Sequence, residues 1–204
     1  MPIGSRAYDR RRLRALAREV LGPDVLDIGY AQLPNPHLRR FHTVGLDLAR
    51  PKQPSGYAEE IVGDARDLVA ALAGRRFHSI VCGAFVEHLE APYAFLRSLH
   101  PFLADGGRIV LSTPNPLSFP QFFFEVFNSR RFYYTTEHLY AFTPRWVVHM
   151  LEATGFRVKR VRPVGLNLIF LVTWCPTFMS YDVVYVAEPR QSDKERSRNE
   201  TTPA

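Results

Sequence analysis

An open α/β sheet with right-handed crossovers is the fold this sequence predicts, on three grounds. Short β-type runs alternate with helical stretches from Val25 onward. Several of those runs are continuously apolar, as strands buried on both faces of a parallel sheet are. The 204 residues are 46% hydrophobic and 23% charged, which suits a globular domain and excludes a fully disordered chain.

The elements follow in order. Residues 6–21 read as a helix, because Leu13, Leu16, Ala17, Val20 and Leu21 recur at three-to-four spacing. Gly22-Pro23 stops it. Arg6, Arg10, Arg11, Arg12, Arg14 and Arg18 fill its other faces against only Asp9 and Glu19. That pattern predicts a solvated face, with an anion or membrane contact as the alternative. Strands are expected at 25–28, 43–48, 60–64, 78–82 and 108–112, and helices at 64–73 and 92–103. In the second helix Tyr93, Leu96, Leu99 and Leu103 line one side, and Asp105-Gly106-Gly107 turns the chain into the fifth strand. Thr143-Pro144 pairs an N-cap with a proline at the first helical position. Trp146, Val147, Met150 and Leu151 form the apolar face of that helix, and Gly155 ends it. A sixth strand is expected at 156–164 and a seventh at 181–187, joined by an apolar connector. Residues 1–22 then form an N-terminal helix, 23–188 the main domain, and 189–204 a polar tail expected to be disordered.

Charge and cysteine usage narrow the function classes. The formal charge is +6 and is concentrated in the first twenty residues rather than spread over the fold, so no nucleic-acid partner is expected. No apolar run reaches the ~18–20 residues that span a bilayer. The longest, 166–175, contains Asn167 and Thr173. No apolar segment follows the N-terminal arginines, as a secretory signal requires. Cys82 and Cys175 sit in apolar surroundings without a CxxC pair. Neither a disulfide scaffold nor a metal site is expected, and a reduced, cytoplasmic compartment is.

In open α/β sheets, ligands bind beyond the carboxyl ends of the strands near the switch point. There the sequence places Asp27-Ile28-Gly29-Tyr30 after the first strand, Asp47 after the second, Asp64-Ala65-Arg66 after the third and Gly83-Ala84-Phe85-Val86-Glu87-His88-Leu89 after the fourth. An acid ending the second strand suits ribose hydroxyls. A carboxylate after the third, beside a small residue, suits an adenine amino group. Together these form the nucleoside half of a site.

These residues resemble the class I S-adenosylmethionine-dependent methyltransferases of the small UbiE/UbiG-like kind. The resemblance runs from about residue 25 to 187. It is carried by VLDIG, VGLDL, VGDARDL and the helical piece HLYAFTPRWVVHMLEATGF, and most specifically by residues 85–116. There a Glu-His-Leu, a helix, a Gly-Gly turn and a strand ending in Thr-Pro-Asn follow one another. The resemblance implies a Rossmann-like, seven-stranded, mostly parallel sheet with an antiparallel last strand and helices on both faces. It also implies S-adenosyl-L-methionine as cofactor. Asp27, Gly29, Tyr30 and Ala31 then match the glycine-rich loop, Asp47 and Leu48 the ribose-binding acid and its neighbour, and Asp64, Ala65 and Arg66 the adenine side. Gly83, Ala84 and Phe85 match the methionyl segment, and Glu87 and His88 the place where cofactor and acceptor meet.

The sequence departs from the family pattern in that loop. Ala31 and Leu33 replace its second and third glycines, and Pro34 and Pro36 displace the usual helix start. Either the loop is a variant that still cradles the cofactor, with Gln32 or Asn35 supplying polar contacts, or binding is weakened.

Methyl transfer asks the protein mainly to align the reactants and exclude water. If a base is needed, His88 is the first candidate and His138 with Glu137 the second. The structural alternatives are a loop hydrogen bond for His88 and a helix-entry bond for His138. Residues 115–142 are expected to cover the acceptor. Phe119, Phe122, Phe123, Phe124, Phe127, Phe132, Tyr133 and Tyr134 crowd this stretch beside Arg130 and Arg131. They suit sheet packing, an apolar acceptor pocket or, third, a weak membrane contact shared with Trp174. The expected function is therefore methyl transfer to a small-molecule acceptor with an apolar or aromatic portion. A non-catalytic binding module is the alternative, and a nucleotide-dependent oxidoreductase is a weaker one, since Gly-x-Gly-x-x-Gly is absent.

Overall fold

The chain folds around one seven-stranded sheet of order β3-β2-β1-β4-β5-β7-β6. The structure is a computed structural model and describes residues 4–118, 138–164 and 180–190. The strands are β1 (Asp24–Ile28), β2 (His42–Asp47), β3 (Glu59–Val62), β4 (Phe77–Gly83), β5 (Leu103–Pro114), β6 (Phe156–Val164) and β7 (Asp182–Pro189). The first five run parallel, and β7 pairs antiparallel with both β5 and β6. This is the reversed final hairpin that the family resemblance implies. Chain order reverses between β1 and β4, where Asp27 faces Val81 in register and Ile28 faces Cys82. The switch point therefore lies above Gly29 and Gly83.

The two faces are covered differently. On one, α2 (Leu68–Leu72), α3 (Pro92–Ser98) and α4 (Pro144–Ala153) bury the larger core, which includes Leu26, Ile28, Leu46, Ile80, Leu96, Met150 and Phe156. On the other, α1 (Gly4–Arg18) lays Leu16 and Ala17 against Val25, Val81, Val110 and Val184, with Leu38 beside them. No full helix connects β1 to β2. Residues 29–41 hold only a 3-10 turn at Pro36–Leu38, close to the shortest connection that returns a parallel strand. The helix displaced by Pro34 and Pro36 is thus replaced by this turn, and α1 covers the face such a helix would cover.

Several elements are shorter than their periodicity predicts. The helix expected at 64–73 begins only after Asp67, whose side chain accepts from the Ala70 N–H, and it ends on Ala73 at φ 48°. The stretch 92–103 breaks into α3 and a 3-10 turn at His100–Phe102, because Pro101 has no N–H to continue an α-helical ladder. The arginine-rich helix is not uniformly solvated. Arg12 turns inward, with its Nε 3.6 Å from the buried Asp182 carboxylate. Among the described residues no helix is long and apolar enough to cross a membrane. The aromatic run at 119–134, Glu137, the connector holding Trp174 and Cys175, and residues 191–204 lie outside the described residues.

Candidate active site

A cavity of about 560 Å³ opens over the switch point. It is lined by Asp27, Gly29 and Tyr30 after β1, Asp47 after β2, Gly83, Ala84, Phe85 and His88 after β4, and His138. All nine are residues the sequence points to. Leu48 is 69% exposed beside Asp47 but outside the lining. Asp64, Ala65 and Arg66 are outside it too. The Asp64 carboxylate accepts from the Arg66 backbone N–H at 2.8 Å and from its guanidinium at 2.6 Å. Ala31 contributes its backbone, donating its N–H to Asp47 Oδ2 at 2.9 Å.

Asp47 is thereby held in place from both sides. Its other oxygen, Oδ1, accepts from the Ala49 N–H at 3.3 Å. A carboxylate oxygen offers more than one acceptor direction, so both oxygens keep capacity for ligand hydroxyls.

Asp27 is buried, and its Oδ2 accepts from the Tyr57 hydroxyl at 2.6 Å. Burial pushes its pKa up to about 7, and the nearby Asp47 charge adds to the rise. The Tyr57 hydrogen bond and the Arg12 charge oppose it. Tyr57 also accepts from the Asn35 N–H at 2.8 Å. Asn35 in turn donates Nδ2 to the Leu13 carbonyl of α1 at 2.9 Å and accepts from the His37 N–H at 3.0 Å. Asn35 therefore fastens the loop to α1 rather than offering its amide to a ligand. Both Gln32 and Asn35 line the cavity.

The glycine-poor loop leaves the cavity open. Leu33 lies at its edge, 39% exposed. In the β1–β2 connection only Gly29 takes a left-handed φ, +76°, so Ala31 and Leu33 adopt backbone that any L-residue tolerates. At Gly29 a Cβ would lie 2.3 Å from the Phe85 ring, so this one glycine is required.

Beyond β4 the chain is strained. Ala84 sits at φ 52°, held by its N–H to Ser112 O at 3.0 Å. A 3-10 turn at Val86–His88 follows. The Glu87 carbonyl accepts from the N–H groups of Leu139 and Tyr140 at 2.9 and 3.2 Å. That clamp carries His138 to His88, their ring centres 4.6 Å apart. Burial pushes the Glu87 carboxyl up to about 7, against a hydrogen bond from its own backbone and the Arg12 charge.

Sequence reasoning missed Arg12 and Tyr57. Arg12 had a signal: it stands four residues before Leu16, on the apolar side of the helix. Tyr57 lies in an irregular stretch and had none.

The model of a methyltransferase domain family matches residues 3–161. The chain belongs to that family. No curated protein matches it by sequence. Among solved structures it resembles an S-adenosylmethionine-dependent methyltransferase of Archaeoglobus fulgidus, at 21% identity and a TM-score of 0.65 over 89% of this chain and 93% of that one. A possible histamine N-methyltransferase of Thermotoga maritima gives 14% identity and 0.67, covering 91% and 90%. The 1,6-didemethyltoxoflavin-N1-methyltransferase of Burkholderia thailandensis, solved with its substrate and S-adenosylhomocysteine, gives 16% and 0.64, covering 90% and 80%. The fold is thus that of the class I methyltransferases, whose methyl donor is S-adenosylmethionine.

Proposed function

We propose that this methyltransferase moves the methyl group of S-adenosylmethionine onto a small-molecule acceptor with an apolar or aromatic portion. One observation carries the reading. A carboxylate fixed by two backbone N–H groups, Asp47, faces the same cavity as Gly29 and the Gly83–Phe85 segment. The residues fit the donor: Asp47 would hold the ribose, with Leu48 offering an apolar surface beside it. Gly29, Ala84 and Phe85 would border the methionyl part. The donor supplies an already activated methyl group. The chain's work is to orient both molecules, keep water out and accept a proton where the acceptor has one to lose.

His88 and His138 stand where that proton would leave. Phe85, which lines the cavity, would supply apolar surface for an acceptor. The bound molecules named for the Burkholderia enzyme, a small heterocycle and S-adenosylhomocysteine, accord with this class of acceptor.

Titration calorimetry with S-adenosylhomocysteine tests the reading. Asp47→Ala removes charge-assisted bonds worth about 1.5–3 kcal/mol each, so affinity should drop about tenfold or more. Unchanged affinity defeats the ribose assignment. No binding by the unaltered protein favours a non-catalytic module.

A further inference from the structure

The structure brings Glu87, His88 and His138 together at the acceptor end of the cavity, with one donor atom from each within 4.8 Å of the others. We propose that these three side chains bind a divalent transition-metal cation. The sequence suggests no metal site, because its cysteines form no ligand pattern. His138 stands fifty residues from the Glu-His pair and joins it only through the backbone clamp on the Glu87 carbonyl.

Glu87 supplies the second, independent observation. It is 1% exposed, and neither carboxylate oxygen has a hydrogen-bond partner on another residue among the described residues. A buried carboxylate without a partner is costly, and a bound cation is one of the few ways to offset it. The nearest protein cation does not fill that role. Arg12 lies against Asp9 and Asp182 and reaches Glu87 only through space.

Two imidazoles and a carboxylate favour manganese, iron, cobalt or zinc over magnesium and calcium, which prefer all-oxygen shells. Three protein ligands also leave coordination positions vacant. Both histidines line the cavity, so those positions face the acceptor. On the methyltransferase reading, on which this extension rests, the acceptor then carries one or two neighbouring oxygen donors. The cation would lower the pKa of such a hydroxyl, and with both imidazoles on the metal its proton would pass to water rather than to His88 or His138.

Cobalt(II) is the probe, added to full-length protein stripped with a chelator. The expected result is a visible absorption band that saturates at one equivalent and is bleached by zinc. His138→Ala, at an exposed position, should weaken cobalt binding at least tenfold. Glu87→Gln should do the same and abolish the rise in Tm that zinc gives the unaltered protein. If Glu87→Gln does not fold, His138→Ala decides the matter alone. Absence of the band at millimolar cobalt overturns the proposal, and so does equal affinity in His138→Ala, which would place the metal on other histidines. A parallel titration of metal-free protein with S-adenosylhomocysteine separates the two readings. Binding there without a cobalt band leaves the donor assignment standing and removes the cation. A band without that binding does the reverse.

Discussion

The two sides of the cavity are built on opposite terms. On the β1–β2 side almost every polar group is tied: Asp27 to Tyr57, Asn35 to α1, Asp47 to Ala31 and Ala49. On the β4 side Ala84 holds a left-handed backbone and Glu87 is buried with both oxygens unpartnered. The first side lost its glycines at no conformational cost, because the chain there takes ordinary φ values. The second side carries strain that a stable scaffold has no need for, and strain of this kind gathers at working sites. The loop that looks degenerate in sequence is the sturdier wall.

The largest test breaks the wall at the one point of the β1–β2 loop where glycine is required. Gly29→Ala puts a methyl group 2.3 Å from the Phe85 ring on a φ of +76°. Urea denaturation should show a loss of about 2–4 kcal/mol. A loss under about 0.5 kcal/mol would mean that Phe85 moves freely and that the two sides are not packed together.

An intermediate effect concerns Asp27. Its folded pKa, about 7, lies above its ordinary 3.8, so the folded state holds the proton more tightly. That contribution to stability is complete below about pH 4 and is lost as pH rises through 7. Asp27→Asn should therefore flatten the decline in stability between pH 4 and 8 by roughly 2–4 kcal/mol. Parallel curves for variant and parent would show that Tyr57 and Arg12 already keep the carboxylate ionised.

The smallest effect is at Leu33. Leu33→Gly restores the family glycine where no glycine conformation is used. It should cost about 0.5–1 kcal/mol of stability through added freedom in the unfolded chain, with little gain in donor affinity. Markedly tighter binding of S-adenosylhomocysteine would instead identify the leucine as an obstruction.

Much of this was legible in the sequence. Near-continuous apolar strands report a parallel sheet because both faces are covered, and strand-terminal residues report the site because the topology gathers them there. Asp27, Asp47, Gly83 and His88 converge for that reason. Asp64 was legible as a strand-end acid, but its pairing with Arg66, a contact two residues away, was not. The missing crossover helix could be suspected from Pro34 and Pro36, whereas its replacement by α1 could not. That exchange depends on long-range packing of Leu16 and Leu38 that no local pattern encodes. Glu87, His88 and His138 were each legible as residues near the acceptor, but their meeting in one cluster was hidden for the same reason, since a backbone clamp across fifty residues leaves no mark in spacing.

Arg12 and Glu19 give α1 a part in when the cavity can exist at all. Glu19, at the end of that helix, pairs with Arg160 and Arg162 on β6, while Arg12 meets Asp182 at the start of β7. Helix α1 is thus locked to β6 and β7. Because α1 and the β6–β7 hairpin are far apart in sequence, the apolar sheet face under α1 is covered only once that long-range contact forms.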